Sequence, residues 1–258
     1  MTSVNIDIYA DGADVDEMLD ALERPTPLPI VPQDGDDPRE LYASLLVKLM
    51  PLAEPVEGVL NEIEETARTE GIPIVGRLEG SILQILTMLH GRRAMRILDI
   101  GTAIGYSAIW LAAALAPGGT VTTIELDPER AQRARRYIER AGFADRVDVL
   151  EGDAFDVIPT LGTYDLIFQD VMKHVYFGSD PGLALSLLRL TVEHLAPAGV
   201  LMIDNALCGN GIIEPGAHSA SNQLAGVQAL NHALSRDPAF RSVILPVRDG
   251  LWLAQRVA

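Results

Sequence analysis

Residues 97–107, ILDIGTAIGYS, decide the fold that this sequence predicts. An apolar run typical of a buried strand ends at Gly101, and the residues after Gly105 have the composition of a helix. Glycines in such a turn let the backbone approach a ligand at the carboxyl end of a strand, where doubly wound folds bind nucleotides. The spacing G-x-x-x-G differs from the G-x-G-x-x-G of dinucleotide enzymes, and a tight turn without a ligand is the alternative interpretation.

Strand and helix patterns alternate from residue 96 onwards. The predicted strands are RILDI, TVTTIE, VDVLE, YDLIFQD, GVLMIDN, SVILPV and LWLAQRV. Asp127 followed by Pro128 predicts the start of one of the intervening helices. The alternation predicts an α/β fold, a Rossmann-like, doubly wound, seven-stranded and mostly parallel sheet with helices on both faces. The last two strands flank the turn RDG and predict a C-terminal antiparallel hairpin.

The first 37 residues differ in composition from the rest of the chain. They contain ten acidic residues against the single basic Arg24, and prolines at positions 25, 27, 29 and 32 make a helix there unfavourable. We interpret residues 1–37 as an acidic, proline-rich extension and residues 38–258 as one domain.

Charge and cysteine content narrow the class of protein. The chain has 36 acidic and 20 basic residues and a formal net charge of −16, which argues against nucleic acid or an anionic membrane as a partner. The single cysteine, Cys208, excludes an intrachain disulfide and fits a reducing compartment. The first residues lack the features of a signal peptide, and no apolar run has the length of a membrane span. These features predict a cytoplasmic protein.

Two acidic residues stand beside the glycine turn. Asp99 belongs to the first strand, where its carboxylate could hold a cationic ligand group such as the ammonium of an amino acid. Glu125 ends the second strand, where it could accept hydrogen bonds from both hydroxyls of a ribose. A glycine turn with these two acids suits S-adenosylmethionine (SAM) better than NAD.

Polar residues end two further strands. Asp170 follows YDLIFQ, and Asp204-Asn205 follows GVLMI. If these strands are neighbours in a parallel sheet, three oxygen donors converge at its carboxyl edge and could bind a hard divalent cation such as Mg²⁺. Ordinary turn chemistry, a polar pair with a glycine nearby, is the alternative interpretation of Asp204-Asn205.

Six blocks of the sequence together resemble a known family. They are LDIGTAIGYSAIWLA, VTTIELDPERAQRAR, AGFADRVDVLEGDA, YDLIFQDVMK, AGVLMIDNALCGNG and LPVRDGLWLA. In this order they resemble the cation-dependent O-methyltransferases, the group of catechol and caffeoyl-CoA O-methyltransferases, over roughly residues 40–258. The resemblance implies that residues 38–258 form a SAM-dependent methyltransferase domain.

The resemblance also implies a set of cofactor-binding residues: Val75, Asp99, Gly101, Ser107, Glu125, Asp153, Ala154 and Asp170. Ser107 would bind the methionine carboxylate of SAM, and Val75 would line the methionine end. Asp153 and Ala154 would border the adenine. The family usually has glutamate at the position of Asp99, so the shorter side chain would reach the ligand through water.

The same resemblance implies a metal site and a catalytic base. Asp170, Asp204 and Asn205 would bind Mg²⁺ or another divalent cation such as Mn²⁺ or Ca²⁺. Lys173, in the arrangement D-x-x-K of DVMK, would be the catalytic base, and the protein would be a homodimer.

The predicted function is a divalent-metal-dependent O-methyltransferase that acts on a small hydroxylated acceptor able to chelate the metal. A catechol-type compound with two adjacent hydroxyls is the first choice of acceptor. A 2-hydroxyacyl group on a carrier protein, or another aliphatic hydroxyl, is an alternative acceptor. A nicotinamide-dependent oxidoreductase and a non-catalytic cofactor-binding protein are alternatives of other classes.

Overall fold

The structure is a computed structural model of the chain. It describes residues 38–48, 50, 52–91, 94–171, 181–208 and 224–257. The predicted extension, residues 1–37, lies outside the described residues, so its separation from the domain stays a prediction.

One sheet of seven strands organises the described part of the chain, in the order β3-β2-β1-β4-β5-β7-β6. Its strands are β1 (Arg96–Ile100), β2 (Thr120–Glu125), β3 (Val147–Glu151), β4 (Tyr164–Gln169), β5 (Leu195–Ile203), β6 (Phe240–Leu245) and β7 (Leu251–Arg256). Strands β1 to β5 run parallel, whereas β7 is antiparallel to both β5 and β6. The predicted mostly parallel sheet with a closing antiparallel hairpin is confirmed.

Helices precede the sheet and connect its strands. The helices of the described residues are α1 (Pro38–Lys48), α2 (Val56–Glu70), α3 (Gly76–His90), α4 (Tyr106–Ala114), α5 (Pro128–Arg140), α6 (Ala154–Val157), α7 (Pro181–Glu193) and α8 (Ala225–Arg236), with a 3₁₀ turn at Ile158–Thr160. Asp127 caps α5 as predicted, because its side chain accepts hydrogen bonds from the backbone N–H groups of Glu129 and Arg130. Among these helices, none combines the length and apolar character that a membrane crossing requires.

The sheet separates two hydrophobic cores. Successive residues of a strand point to opposite faces, so Ile97 of β1 packs with α2 to α5 while Leu98 packs with α7 and α8. The same alternation divides Met202 from Ile203 in β5. Helices therefore cover both faces of the sheet. The polar residues that follow the strands lie at its carboxyl edge.

Strand β5 begins four residues earlier than the sequence pattern indicated. Leu195 pairs with Tyr164, but the register then shifts so that Val200 pairs with Leu166. Ala198 lies within this irregular stretch at φ +58°. The extra residues of the bulge hid the start of the strand, because a bulge interrupts the regular side-chain alternation.

Helix α3 is held firmly against its neighbours. Arg77, with 3% of its side chain exposed, lies 2.7 Å from Glu57 and 2.7 Å from Glu64 of α2. Gly80 approaches Trp110 of α4 so closely that a Cβ atom at this position would lie 2.5 Å from the indole nitrogen. These contacts fix the first turns of α3 beside the carboxyl edge of the sheet.

Candidate active site

The carboxyl ends of four adjacent strands form the floor of the candidate site. Ile100 at the end of β1 pairs with Ile124 of β2 and with Gln169 of β4, and Gln169 pairs with Ile203 of β5. The residues that follow these strands therefore meet at one edge, as predicted for Asp170 and Asp204. This is the position at which open α/β sheets bind their ligands.

The glycine turn after β1 is a point of close backbone approach. Gly101 has φ +108°, and a Cβ atom there would lie 1.8 Å from the backbone oxygen of Asp170. The N–H groups of Gly101 and Thr102 both donate to the carbonyl of Ile124 at 3.1 Å. Glycine is required at position 101 for both its conformation and its size, because any side chain would push the end of β4 away.

Glu125, at the end of β2, is held in a defined orientation. Its Oε2 accepts a hydrogen bond from the backbone N–H of Ala103 at 2.7 Å, and its Oε1 accepts one from that of Asp127 at 3.0 Å. The residue is 8% exposed and lines the cavity above the sheet. Each carboxylate oxygen can accept a further hydrogen bond, so the side chain can still bind a ligand.

Asp99 and Ser107 lie in a buried layer behind the glycine turn. Oδ2 of Asp99 accepts hydrogen bonds from Ser107 Oγ at 3.0 Å and from Thr123 Oγ1 at 2.9 Å. Its Oδ1 has no hydrogen-bond partner. Burial raises the pKa of Asp99 to about 7, although the two hydroxyl donors act in the opposite direction. The predicted ligand of the methionine carboxylate, Ser107, is thus engaged by Asp99.

A cavity of about 660 Å³ opens above the carboxyl edge, within the range of small-ligand sites. The predicted residues that line it are Gly101, Glu125, Asp153, Ala154, Asp170, Asp204 and Asn205. Val75, Asp99 and Ser107 do not line it. Val75 is 3% exposed and packs in the core, whereas Pro73 and Ile74 just before it face the cavity. Asp153 also caps α6, because its side chain accepts from the N–H of Phe155 at 2.9 Å.

The structure brings Asp170, Asp204 and Asn205 into direct contact. Asn205 Nδ2 donates to Asp170 Oδ1 at 3.1 Å and to Asp204 Oδ2 at 3.2 Å. The backbone N–H of Asn205 donates to Asp204 Oδ1 at 2.7 Å. Asn205 adopts φ +68°, a conformation that asparagine tolerates better than most residues, and this turns its amide back between the two carboxylates.

Both carboxyl groups sit where ionisation is unfavourable. Burial raises the pKa of Asp170 well above its usual range, and the neighbouring carboxylates of Asp204 and Asp99 raise it further. Burial also raises the pKa of Asp204 to about 6, even though the N–H of Asn205 and the guanidinium of Arg248 favour its charged form. Perturbation of this kind is typical of functional sites, where charge partners arrive with a ligand.

Two residues that the sequence did not single out complete this corner. Glu79 of α3 is 1% exposed, and burial together with the negative charges of Asp204 and Asp170 raises its pKa well above the usual range. Arg248, from the turn between β6 and β7, lines the cavity, donates through Nη1 to the carbonyl of Ile74 at 2.9 Å and lies 4.0 Å from Glu79 Oε2. The sequence marked residues 248–250 only as a turn, and the pattern of α3 gave Glu79 no distinction from a surface glutamate.

The predicted metal ligands are two carboxylates and one amide. Within the described residues, no group of three His, Cys, Asp or Glu side chains is arranged to hold a metal ion. The predicted set differs from such a group, because its third donor is the amide of Asn205. The predicted base, Lys173, lies outside the described residues, so its role stays a prediction.

Comparisons with known proteins identify the family to which the chain belongs. The profile of a family described as O-methyltransferase matches residues 54–257. The catechol O-methyltransferase of Mycobacterium tuberculosis is 38% identical over 133 residues, a match that covers 50% of this chain and 57% of that protein. The catechol O-methyltransferase of Niastella koreensis is 30% identical over 186 residues, covering 68% and 79%. The O-methyltransferase TomG of Streptomyces achromogenes, solved in complex with SAM, superposes with a TM-score of 0.70 at 26% identity, covering 89% of this chain and 100% of that one.

The fold and these similarities together define a SAM-dependent methyltransferase built on a Rossmann-like sheet. The chain belongs to the O-methyltransferase family. The predicted enzyme class is confirmed, and this membership decides against the nicotinamide-dependent oxidoreductase.

Proposed function

We propose that the protein transfers the methyl group of SAM to a hydroxyl of a small, catechol-type acceptor in a reaction that depends on a divalent metal ion. One observation carries the proposal: the carboxylates of Asp170 and Asp204 meet the amide of Asn205 in the same cavity as the glycine turn and Glu125. The names of the two catechol O-methyltransferase relatives support the choice of acceptor.

The wall of the cavity from Gly101 to Ala154 fits SAM. Gly101 lines the cavity where its turn approaches the backbone of Asp170, and Glu125 offers a fixed carboxylate for the two ribose hydroxyls. Ala154 opens helix α6 at the cavity wall and would border the adenine. Asp99 keeps one oxygen without a partner behind the turn, so a bridging water could connect it to the ammonium of the methionine part.

The residues of the acidic corner fit a divalent cation. Asp170 and Asp204 are close enough to share one amide, and buried carboxylates without a compensating cation are unfavourable. Asn205 directs its amide nitrogen to both carboxylates. If the amide turned so that its oxygen took this place, the three oxygen groups would need a cation between them. Two carboxylates and one amide are donors that Mg²⁺ accepts, and they would leave positions for water or an acceptor.

The chemistry of the proposed reaction follows from charge. A bound metal ion would stabilise the deprotonated acceptor and lower the pKa of its hydroxyl. Lys173 is the proposed base, on the strength of its D-x-x-K spacing after Asp170, since a nearby cation lowers the pKa of a lysine. Apolar residues such as Ile74 and Leu187 would exclude water around the reacting groups. The proposed homodimer rests on the family resemblance alone.

The test is methyl transfer from labelled SAM to a panel of catechols, first with Mg²⁺, then with EDTA, then with Mg²⁺ restored in excess. We expect transfer that chelation abolishes and Mg²⁺ restores. Transfer that EDTA leaves unchanged would contradict the metal requirement. Absence of transfer to every catechol, while S-adenosylhomocysteine still binds, would contradict the proposed acceptor but not the enzyme class.

A further inference from the structure

Arg248 is a cavity residue to which the proposed reaction assigns no role so far. It lies in the turn between β6 and β7 at φ +47°. This left-handed conformation is unfavourable for a residue with a Cβ atom, whereas glycine adopts it readily. Backbone strain of this kind is concentrated at ligand sites, so the position indicates that the side chain of Arg248 has a function.

The turn that carries Arg248 is fixed to the segment directly after the proposed metal ligands. The backbone N–H of Ala206 donates to the carbonyl of Gly250 at 2.8 Å. The backbone N–H of Leu207 donates to the carbonyl of Asp249 at 2.6 Å. These two hydrogen bonds hold Arg248 beside the acidic corner, and Arg248 lines the same cavity as the proposed metal ligands.

The guanidinium of Arg248 is held in place but keeps most of its hydrogen-bond donors available. Its Nη1 donates to the carbonyl of Ile74 at 2.9 Å. A Cβ atom on Gly76 would lie 3.1 Å from the same nitrogen, so glycine there leaves room for the guanidinium. Within the described residues its ion pair is with Glu79 at 4.0 Å, which is too long for a hydrogen bond. An arginine has five N–H groups, so most of them remain for a ligand.

The cavity beside Arg248 combines an apolar wall with this cation. Ile74, whose carbonyl holds the guanidinium, also lines the cavity, and so does Leu187. An apolar wall fits an aromatic ring, and a guanidinium can bind a carboxylate through two parallel hydrogen bonds. A divalent cation at the acidic corner would balance the charges of Asp170 and Asp204, so these two carboxylates would not repel an anionic acceptor.

We infer that Arg248 binds a carboxylate of the acceptor, so that the preferred acceptor is a catechol that carries a carboxylate group. This inference rests on the proposed function and narrows its catechol-type acceptor. The ring would lie against Ile74, the two adjacent hydroxyls would face the proposed metal ligands, and the carboxylate would take the donors of Arg248 that Ile74 leaves. Arg248 would thereby discriminate between acceptors by their charge.

The test compares two acceptors of the same size that differ in charge: protocatechuate, a catechol with a ring carboxylate, and its neutral primary amide. Calorimetry measures the Kd of each for the full chain saturated with S-adenosylhomocysteine and Mg²⁺. We expect the wild type to bind the acid about 10-fold or more tightly than the amide, because hydrogen bonds between charged groups are the stronger ones. With SAM as cofactor, kcat/KM should show the same preference.

Variants of Arg248 should change the affinity for the acid alone. Arg248→Gln should raise the Kd of protocatechuate about 10- to 100-fold and that of the amide less than about threefold. Arg248→Lys keeps the charge without the planar guanidinium and should lie between this variant and the wild type. The matched control Arg236→Gln, at an exposed position on the last turn of α8, should bind both acceptors like the wild type.

The outcomes separate this inference from the proposed function. A wild type without preference for the acid, or equal weakening of acid and amide in Arg248→Gln, would overturn the inference but not methyl transfer to catechols. A loss of affinity for S-adenosylhomocysteine beyond a few-fold in this variant would also overturn it, because Arg248 would then bind the methionine carboxylate. Charge-dependent binding of protocatechuate without methyl transfer to either acceptor would support the carboxylate contact and contradict the proposed reaction.

A second variant keeps the test decisive if Arg248→Gln does not fold, as judged by circular dichroism. Arg248→Gly removes the same side chain, and glycine suits the backbone angle of +47° at this position. We expect it to fold and to show the same selective loss of protocatechuate binding. An unchanged Kd for the acid in this variant would overturn the inference.

Discussion

Gly101→Ala is the substitution whose effect follows most directly from the structure. The new Cβ would lie 1.8 Å from the backbone oxygen of Asp170, although separations below 3.0 Å are essentially never seen, so the two chain segments must part by at least 1.2 Å, the difference of the two distances. The left-handed φ of +108° adds about 1–2 kcal/mol for a residue with a side chain. Overpacking costs about 1–3 kcal/mol and the loss of the 2.9 Å hydrogen bond from Asp170 N–H to the carbonyl of Ile100 about 1 kcal/mol.

We therefore expect Gly101→Ala to lower the free energy of unfolding by about 3–6 kcal/mol. The assay is urea denaturation with the midpoint compared at constant slope. Gly142→Ala is the matched control, since Gly142 also has a positive φ, +84°, but nothing lies within 4 Å of its would-be Cβ. The control should lose only the conformational part, about 1–2 kcal/mol. Equal losses in the two variants would refute the close approach of Gly101 to β4.

Three further predictions concern the site. Asp204→Ala should abolish metal-stimulated methyl transfer and leave the calorimetric affinity for S-adenosylhomocysteine within a few-fold of wild type. Asp156→Asn, at an exposed position, is the control. Metal-stimulated transfer in the Asp204→Ala variant would mean that Asp204 serves only the turn after β5. Glu125→Gln should weaken the binding of S-adenosylhomocysteine about 10-fold or more, because hydrogen bonds to charged groups contribute about 1.5–3 kcal/mol. An unchanged affinity in calorimetry would contradict the proposed contact between Glu125 and the ribose. Burial raises the pKa of Asp99 from 3.8 to about 7 and that of Asp204 from 3.8 to about 6. Between the usual and the raised values, these groups bind more protons in the folded protein than in the unfolded chain. The unfolding free energy of the metal-free protein should therefore fall as pH rises from about 5 to about 7, above the range in which the lowered pKa values of Glu57, Glu62 and Glu70 make it rise. A rise between these pH values in denaturation experiments would contradict the burial of Asp99 and Asp204.

Much of the fold was readable because it depends on local patterns. Apolar strands alternating with helices predict a parallel sheet, and consecutive strands of such sheets are often neighbours, which is why Asp170 and Asp204 could be placed together. The turn at Gly101 was readable because few residues other than glycine permit that backbone. These features need no knowledge of how helices pack on the sheet.

The remaining parts of the site depend on packing that sequence does not display. Glu79 lies on a helix before the first strand, and it comes near Arg248 because Gly80 lets α3 pack closely against Trp110. Arg248 reaches the cavity because β7 inserts between β5 and β6. Val75 shows that sequence does not place every single residue correctly. The backbone angles before α3 decide that Ile74, and not Val75, faces the cavity.

The insertion of β7 between β5 and β6 also has a consequence for biosynthesis. Strand β5 leads into Asp204 and Asn205, but one side of it stays unpaired until residues 251–256 have left the ribosome, because β7 is its partner there. The hydrogen bonds from the N–H groups of Ala206 and Leu207 to the carbonyls of Gly250 and Asp249 likewise need the residues just before β7. A nascent chain without β7 thus exposes an open strand edge next to the candidate site, the kind of surface on which chaperones act. The edge of the sheet beside Asp204 is therefore complete only after residues 251–256 have been synthesised.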